Sequence, residues 1–215
     1  MKFFIDSANF EDIRKAYDLG FVTGVTTNPA IILREDTKDL EKRIKSIREM
    51  VEGEILAQVV GKSVDEMVRQ AKLMNSWDDN ITVKLPATMD GIKAVSIAAK
   101  EGVRTCAAAI YNVAQAIAAA AAGAYYVAPF VNRSNALGLD GVALAQTVAK
   151  IFRQNGIDAK IIGASIDSAQ NITDMALAGI TYITAPLRVL ENIVSIVPAD
   201  DTVVEFLTGW SGDEF

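Results

Sequence analysis

Histidine is absent from all 215 residues, and cysteine occurs once, at Cys106. Without histidine there is no Ser-His-Asp or Cys-His machinery, no imidazole general base and no His-liganded zinc. A single cysteine forms no intrachain disulfide, which fits a reducing cytoplasm. A basic cluster is missing too. The 21 Lys and Arg are outnumbered by 27 Asp and Glu, for a formal charge of −6, so nucleic acid and anionic membrane surfaces are poor partners. No apolar run approaches the roughly 20 residues that span a bilayer. The longest Ala-rich stretch, residues 114–124, is a helix former interrupted by Gln115 and Gly123. The N-terminus, Met-Lys-Phe-Phe-Ile-Asp, carries an acid where a signal peptide needs apolar residues. Chemistry is left to Lys, Asp, Glu, Tyr, Ser and Thr.

What is present is a core and a repeat. Hydrophobic residues make up 51% of the chain, enough for one sizeable core and one domain over residues 1–215. Short β-branched and apolar runs predict strands at residues 2–6, 22–27, 55–60, 81–86, 104–110, 125–131, 159–166 and 182–185. Amphipathic or Ala-rich stretches between them predict helices. Asn9 suits the cap of the first, Ser63 with Glu66 forms a capping box, and Gly20, Gly53, Gly102, Gly156 and Gly179 close five helices. Asn28-Pro29 breaks the second strand. A C-terminal helix is predicted over about 200–209. Near-continuous apolar strands alternating with helices imply a parallel sheet. Eight repeats suggest a closed (β/α)8 TIM barrel with an additional C-terminal helix, and the alternative is an open doubly wound sheet. No glycine-rich phosphate loop follows any strand, which counts against the common nucleotide-binding versions of that alternative.

One strand is unusual. Ile81-Thr82-Val83-Lys84-Leu85-Pro86 carries a lysine among apolar residues, and alternation puts Thr82, Lys84 and Pro86 on one side. In a strand covered on both faces, that side is an enclosed space. Desolvation favours the free amine, and a free amine facing a carbonyl is the nucleophile of Schiff-base catalysis. The alternative is a strand-end lysine that runs its charge out to solvent.

The polar residues at the other strand ends form a set, because a barrel keeps its site where strands end. They are Asp6, Thr26-Thr27-Asn28, Gln58, Asn132-Arg133, Ser165 and Asp167. Each has a local alternative: Asp6 as a cap, Asn28 as turn chemistry, Gln58 as a core amide, Arg133 as a surface cation. Together they ring one lysine with an acid, amides and an arginine, without metal ligands, and point to class I aldol chemistry.

Carried by Phe4-Ile5-Asp6, Gly24-Val25-Thr26-Thr27-Asn28-Pro29, Ala57-Gln58-Val59, Val83-Lys84-Leu85-Pro86-Ala87-Thr88, Gly123-Ala124 and the run from Tyr126 to Arg133, the chain resembles the small transaldolase family, which holds transaldolases and fructose-6-phosphate aldolase. The resemblance covers essentially the full length. It implies a Schiff base on Lys84, no cofactor, no metal and a cytoplasmic homo-oligomer, a pentamer or decamer in which the C-terminal helix reaches a neighbour. It implies that Asp6 handles the C4 hydroxyl proton and that Gln58 is served by a proton-shuttling water. Asn28 would hold the dihydroxyacetone part, with Thr26 and Phe130 also lining the substrate, and Arg133 with Ser165 would bind the far phosphate. The activity implied is reversible cleavage of fructose 6-phosphate, or a related ketose, to dihydroxyacetone and glyceraldehyde 3-phosphate. The alternatives are transfer of the dihydroxyacetone unit between sugar phosphates and a degenerate member that only binds sugar phosphate.

Four positions depart from the family pattern. Phe130 stands where aldolase-type members carry tyrosine, and Gln58 where transaldolases carry glutamate. Ala108 replaces a threonine that helps hold the water, and Asp167 replaces a basic residue. Tyr111, Gln115 and the Asn132-Arg133 pair lean toward the aldolase side. Asp167 has two readings, a carboxylate beside the phosphate or the cap of the helix beginning near Ser168.

Overall fold

The computed structural model describes residues 1–35, 37–195, 197–208 and 210. Eight parallel strands close on themselves in sequence order. They are β1 (Lys2–Asp6), β2 (Val22–Thr26), β3 (Glu54–Gln58), β4 (Ile81–Pro86), β5 (Thr105–Ile110), β6 (Tyr126–Pro129), β7 (Lys160–Gly163) and β8 (Tyr182–Ala185). Helices separate them: α1 (Phe10–Asp18), α2 (Pro29–Leu33), α3 (Leu40–Met50), α4 (Val64–Asn75), α5 (Met89–Lys100), α6 (Val113–Ala121), α7 (Val131–Ala136), α8 (Gly141–Gln154), α9 (Ala169–Leu177), α10 (Leu187–Glu191) and α11 (Val197–Leu207). The closed barrel stands, and the open sheet does not. No helix among the described residues is long and apolar enough to cross a membrane.

The local signals work as their chemistry requires. Asn9 accepts from the N–H groups of Glu11 and Asp12, and Ser63 and Glu66 form the reciprocal capping box. Asp6 is therefore not the cap of α1. Gly20 follows α1 with φ +79°, a conformation that costs a residue with a Cβ about 1–2 kcal/mol.

Four expectations need correcting. Asn28-Pro29 does end β2, but it also starts a helix: Asn28 is the N-cap of α2, and proline's fixed φ and missing N–H suit the first turn. The sixth strand stops at Pro129, because the N–H groups of Val131 and Asn132 turn to the carbonyls of Ala164 and Ser165 and begin α7. The seventh stops at Gly163, since Ser165 takes φ +56°, which no strand accommodates. The C-terminal helix begins at Val197 rather than near 200, with Pro198 pre-set for its first turn, and ends at Leu207. Gly209 lies outside the described residues.

Two packed regions follow from strand alternation. Ile5, Val25, Ile55, Val83, Ala107 and Val127 face the helices with Ile13, Ile47, Val95 and Val148. Phe4, Leu56, Cys106, Ala128 and Ile162 fill the middle of the barrel itself. The interior leaves no spare room: a Cβ on Gly24 would lie 2.3 Å from the Phe4 ring. Above and below this apolar plug the interior is polar. The lower layer, where the strands begin, is a closed network. Glu54 accepts from the Thr82 hydroxyl at 2.5 Å and the Tyr126 hydroxyl at 2.8 Å, and pairs with Arg104 at 3.1 Å. Arg104 also donates to Thr82 and to the Asp79 carbonyl. Burial and the neighbouring Glu54 carboxylate push the Tyr126 hydroxyl far above the ordinary phenol range, so it stays a donor.

Candidate active site

The upper layer is built by strand register. Asp6 lies beside Thr26 across β1 and β2, Gln58 beside Lys84 across β3 and β4, and Pro86 beside Ala108 across β4 and β5. Five consecutive strands thus deliver their last inward-facing residues to one end of the barrel. Gly91, in the first turn of α5, packs on the end of the lysine strand so closely that a Cβ would meet the Pro86 carbonyl oxygen at 1.8 Å.

Lys84 is 7% exposed. Its Nζ donates to the Thr27 carbonyl at 2.9 Å, so the side chain stays inside and does not run out to solvent. It lies where two lobes of one space meet. The larger lobe, about 500 Å³, is lined by Asp6, Asn28, Lys84, Arg133, Ser165 and Thr184 among others. The smaller, about 340 Å³, is lined by Gln58, Lys84, Ala108, Tyr111 and Phe130 among others. Asn28, Phe130 and Arg133 border both. Volumes of this size suit a small-molecule ligand.

Asp6, Asn28, Gln58, Lys84, Phe130, Arg133 and Ser165 line these lobes, and Thr26 lies behind Asp6. Asp6 is half-buried and accepts from Thr26 Oγ1 at 2.7 Å; Thr26 itself is buried between Asp6 and Thr184. Asn28 uses its Oδ1 to accept from the Ile31 N–H at 3.0 Å, capping α2, which leaves its amide N–H groups for the cavity. Phe130 stands edge-on to Tyr111, with ring centroids 5.8 Å apart. The Arg133 guanidinium lies 5.5 Å from the centre of the Phe130 ring. Ser165 Oγ accepts from the Arg133 backbone N–H at 3.1 Å and keeps its own proton to donate.

Backbone strain marks both sides of the site. Ser165 at φ +56° and Ala109 at φ +58° are the non-glycine residues in the left-handed region among those described. Ala109 sits where the register between β5 and β6 shifts, between Ala107 and Ile110. Such a bulge re-aims the chain, and here it borders the lobe that holds Gln58.

Asp167 is not a cap. Ser168 caps α9, accepting from the Asn171 N–H at 3.2 Å, while Asp167 lines the larger lobe. Gln115 does not line either lobe. It is the third residue of a capping box on α6, bonded to the Tyr111 and Asn112 N–H groups and to the Ala87 carbonyl.

Sequence reasoning missed three polar lining residues, Arg34, Arg188 and Thr184. Arg188 donates to the Asp167 carbonyl at 3.0 Å. A basic residue two positions past Pro186, just after the last strand, was the available signal. Cys106 lies beside Lys84 in register, but burial pushes its thiol up to about 12. It stays protonated and packs as a small hydrophobe.

The profile of the Transaldolase/Fructose-6-phosphate aldolase family matches residues 3–205. The chain belongs to that family. A probable transaldolase of Oceanobacillus iheyensis is 38% identical over 214 residues, covering 100% of both chains. One of Halalkalibacterium halodurans is 39% identical over 98% of this chain and 99% of its own. Another, of Desulfosudis oleivorans, is 40% identical over 98% of each. Membership makes the chain one of a family of enzymes, and the barrel end described above is where the fold keeps its chemistry.

Proposed function

We propose that the protein is a Schiff-base enzyme that cleaves fructose 6-phosphate, or a related ketose phosphate, between C3 and C4. The observation that carries this reading is Lys84, enclosed at the junction of the two lobes with only a backbone carbonyl as its described hydrogen-bond partner. Its amine adds to the C2 carbonyl, water leaves, and an iminium results. Asp6, in the same lobe, takes the C4 hydroxyl proton as the C3–C4 bond breaks. Glyceraldehyde 3-phosphate departs and the dihydroxyacetone unit stays on Lys84 as an enamine. The Asn28 amide N–H groups donate to its hydroxyls, and Gln58 orients the water that moves protons in the smaller lobe.

Arg133 and Ser165 hold the far phosphate, with charge-assisted hydrogen bonds from the guanidinium. Arg34 and Arg188 line the same lobe. They supply positive charge on the side where Asp167 brings a negative one, so a phosphorylated acceptor remains usable despite that carboxylate.

The enamine has two fates. Protonation and hydrolysis release dihydroxyacetone; attack on a second aldehyde completes a transfer. The smaller lobe, where both fates need a proton-carrying water, has Tyr111 as its side-chain hydroxyl beside Ala108, Ala109 and Phe130. The test is product analysis on fructose 6-phosphate with and without a second aldose phosphate. Free dihydroxyacetone or a transfer product, formed by the wild type and not by Lys84→Met, supports the reading. If neither product forms, the protein is a binder and not a catalyst.

A further inference from the structure

Asp6 stands on β1, flanked by β2 and β8, and each neighbour contributes a threonine hydroxyl. Thr26 Oγ1 donates to Asp6 Oδ1 at 2.7 Å. Thr26 Oγ1 also lies 2.5 Å from Thr184 Oγ1. A hydroxyl has one proton to give, and a carboxylate only accepts. Because Thr26 spends its proton on Asp6, the bond between the two threonines runs from Thr184 to Thr26. The order is thus fixed as Thr184 to Thr26 to Asp6. Both threonines are buried, Thr26 at 1% and Thr184 at 6% exposure, where linked hydrogen bonds polarise one another.

We infer that Thr184 is a positioning residue for the reaction. Its hydroxyl heads a relay that turns Thr26 toward Asp6 and so aims the carboxylate at the substrate. This rests on Asp6 being the proton-handling acid of the proposed mechanism. Without the Thr184 proton, the buried Thr26 oxygen loses its donor and Thr26 is free to rotate its own proton away from Asp6. The carboxylate then loses the bond that fixes Oδ1 and wanders within the lobe. The relay reaches Asp6 through Thr26 alone, so the loss falls on the aim of the carboxylate and not on the groups proposed to hold the phosphate.

The experiment compares Thr184→Val, Thr184→Ser and Asp6→Asn with the wild type on fructose 6-phosphate. Valine keeps the shape of threonine and removes the hydroxyl; serine keeps the hydroxyl. Thr184→Val is expected to lower kcat about tenfold, the scale of a misaligned group, with KM within about twofold and imine trapping by borohydride unchanged. Thr184→Ser is expected to recover most of kcat. Three results would overturn the inference: Thr184→Val with wild-type kcat while Asp6→Asn is slow; serine as slow as valine; or a raised KM with kcat intact, which would make Thr184 a substrate contact. Wild-type kcat in Asp6→Asn would remove the role of Asp6 itself, and the relay with it.

Discussion

At the lower mouth of the barrel, Glu54 is held by Thr82, Arg104 and Tyr126, so the inner carboxylate has its cation and its donors. At the upper mouth, Lys84 has a backbone carbonyl as its hydrogen-bond partner, and the described ion pairs do not include Arg133 or Arg188. The two layers lie on the same eight strands, separated by Phe4, Leu56, Cys106 and Ile162. A cavity exists at each end, about 350 Å³ below and 500 Å³ above, so concavity does not distinguish them. Pairing does. A buried charge that is satisfied internally contributes to structure. An enclosed group without a partner of opposite sign, as Lys84 is, stays open to a ligand, whereas Arg133 and Arg188 are exposed and solvated. The lower network closes the barrel, and the upper set is the one proposed to meet substrate.

Exchanging a residue at each end separates the two roles. Lys84→Met fills similar volume without the amine. Turnover should fall more than a hundredfold while the thermal midpoint stays at or above that of the wild type; activity above a hundredth of wild type in a clean preparation would reject Lys84 as nucleophile. Glu54→Ala should do the reverse. It removes the acceptor of Tyr126 and the ion-pair partner of Arg104, which keeps Thr82 and the Asp79 carbonyl, a loss of about 2 kcal/mol and so roughly 4–8 °C in thermal midpoint. kcat at a temperature below the transition should remain within about twofold. A fall in kcat with unchanged midpoint would mean the lower layer is not merely structural.

Within the upper layer, the two lobes can be tuned separately. Asp167→Lys should raise the ratio of kcat/KM for glyceraldehyde 3-phosphate over glyceraldehyde about tenfold, since a like charge a few ångströms from the phosphate repels by roughly 1 kcal/mol or more after screening. An unchanged ratio would place Asp167 outside the phosphate's reach. In the smaller lobe, Phe130→Tyr and Ala108→Thr should each raise release of dihydroxyacetone relative to transfer. Together they should be non-additive, because both act on one water; independent effects would misplace that water.

The apolar layer between the ends gives the smallest signal. Burial pushes the Cys106 thiol from its ordinary 9.0 up to about 12. Below pH 9 both states keep the proton and stability is full. Above it the unfolded state ionises first, so stability falls as pH rises toward 12. Cys106→Ala should flatten that part of the decline between about pH 9 and 12 in denaturant titrations. An equal slope in both proteins would show that the alkaline loss comes from the buried tyrosines.

The strands were legible because alternation and turn residues are local. Lys84, Asp6 and Gln58 were legible for the same reason: they occupy strand positions whose direction the alternation dictates. The two short helices α2 and α7 were not. Five and six residues carry no measurable period, and α7 begins because its first N–H groups meet carbonyls of residues 164 and 165, over thirty positions away. Arg34 and Arg188 escaped notice because they follow strand ends on helical segments, where a long cation's direction depends on tertiary packing. Thr184 looked like an ordinary β-former, and Glu54 fell just before the predicted third strand. Gln115, read from the sequence as leaning toward the aldolase side, serves the capping box of α6.

The most direct test of the contrast between the two ends uses lysines from both. Lys2 and Lys160 line the lower cavity and Lys84 the upper one. The protein is incubated with fructose 6-phosphate, reduced with borohydride, digested and mapped by mass spectrometry. The account predicts one reduced dihydroxyacetone adduct per chain, on the peptide carrying Lys84. An adduct on Lys2 or Lys160 instead, or none at all in a preparation that turns over substrate, would contradict it.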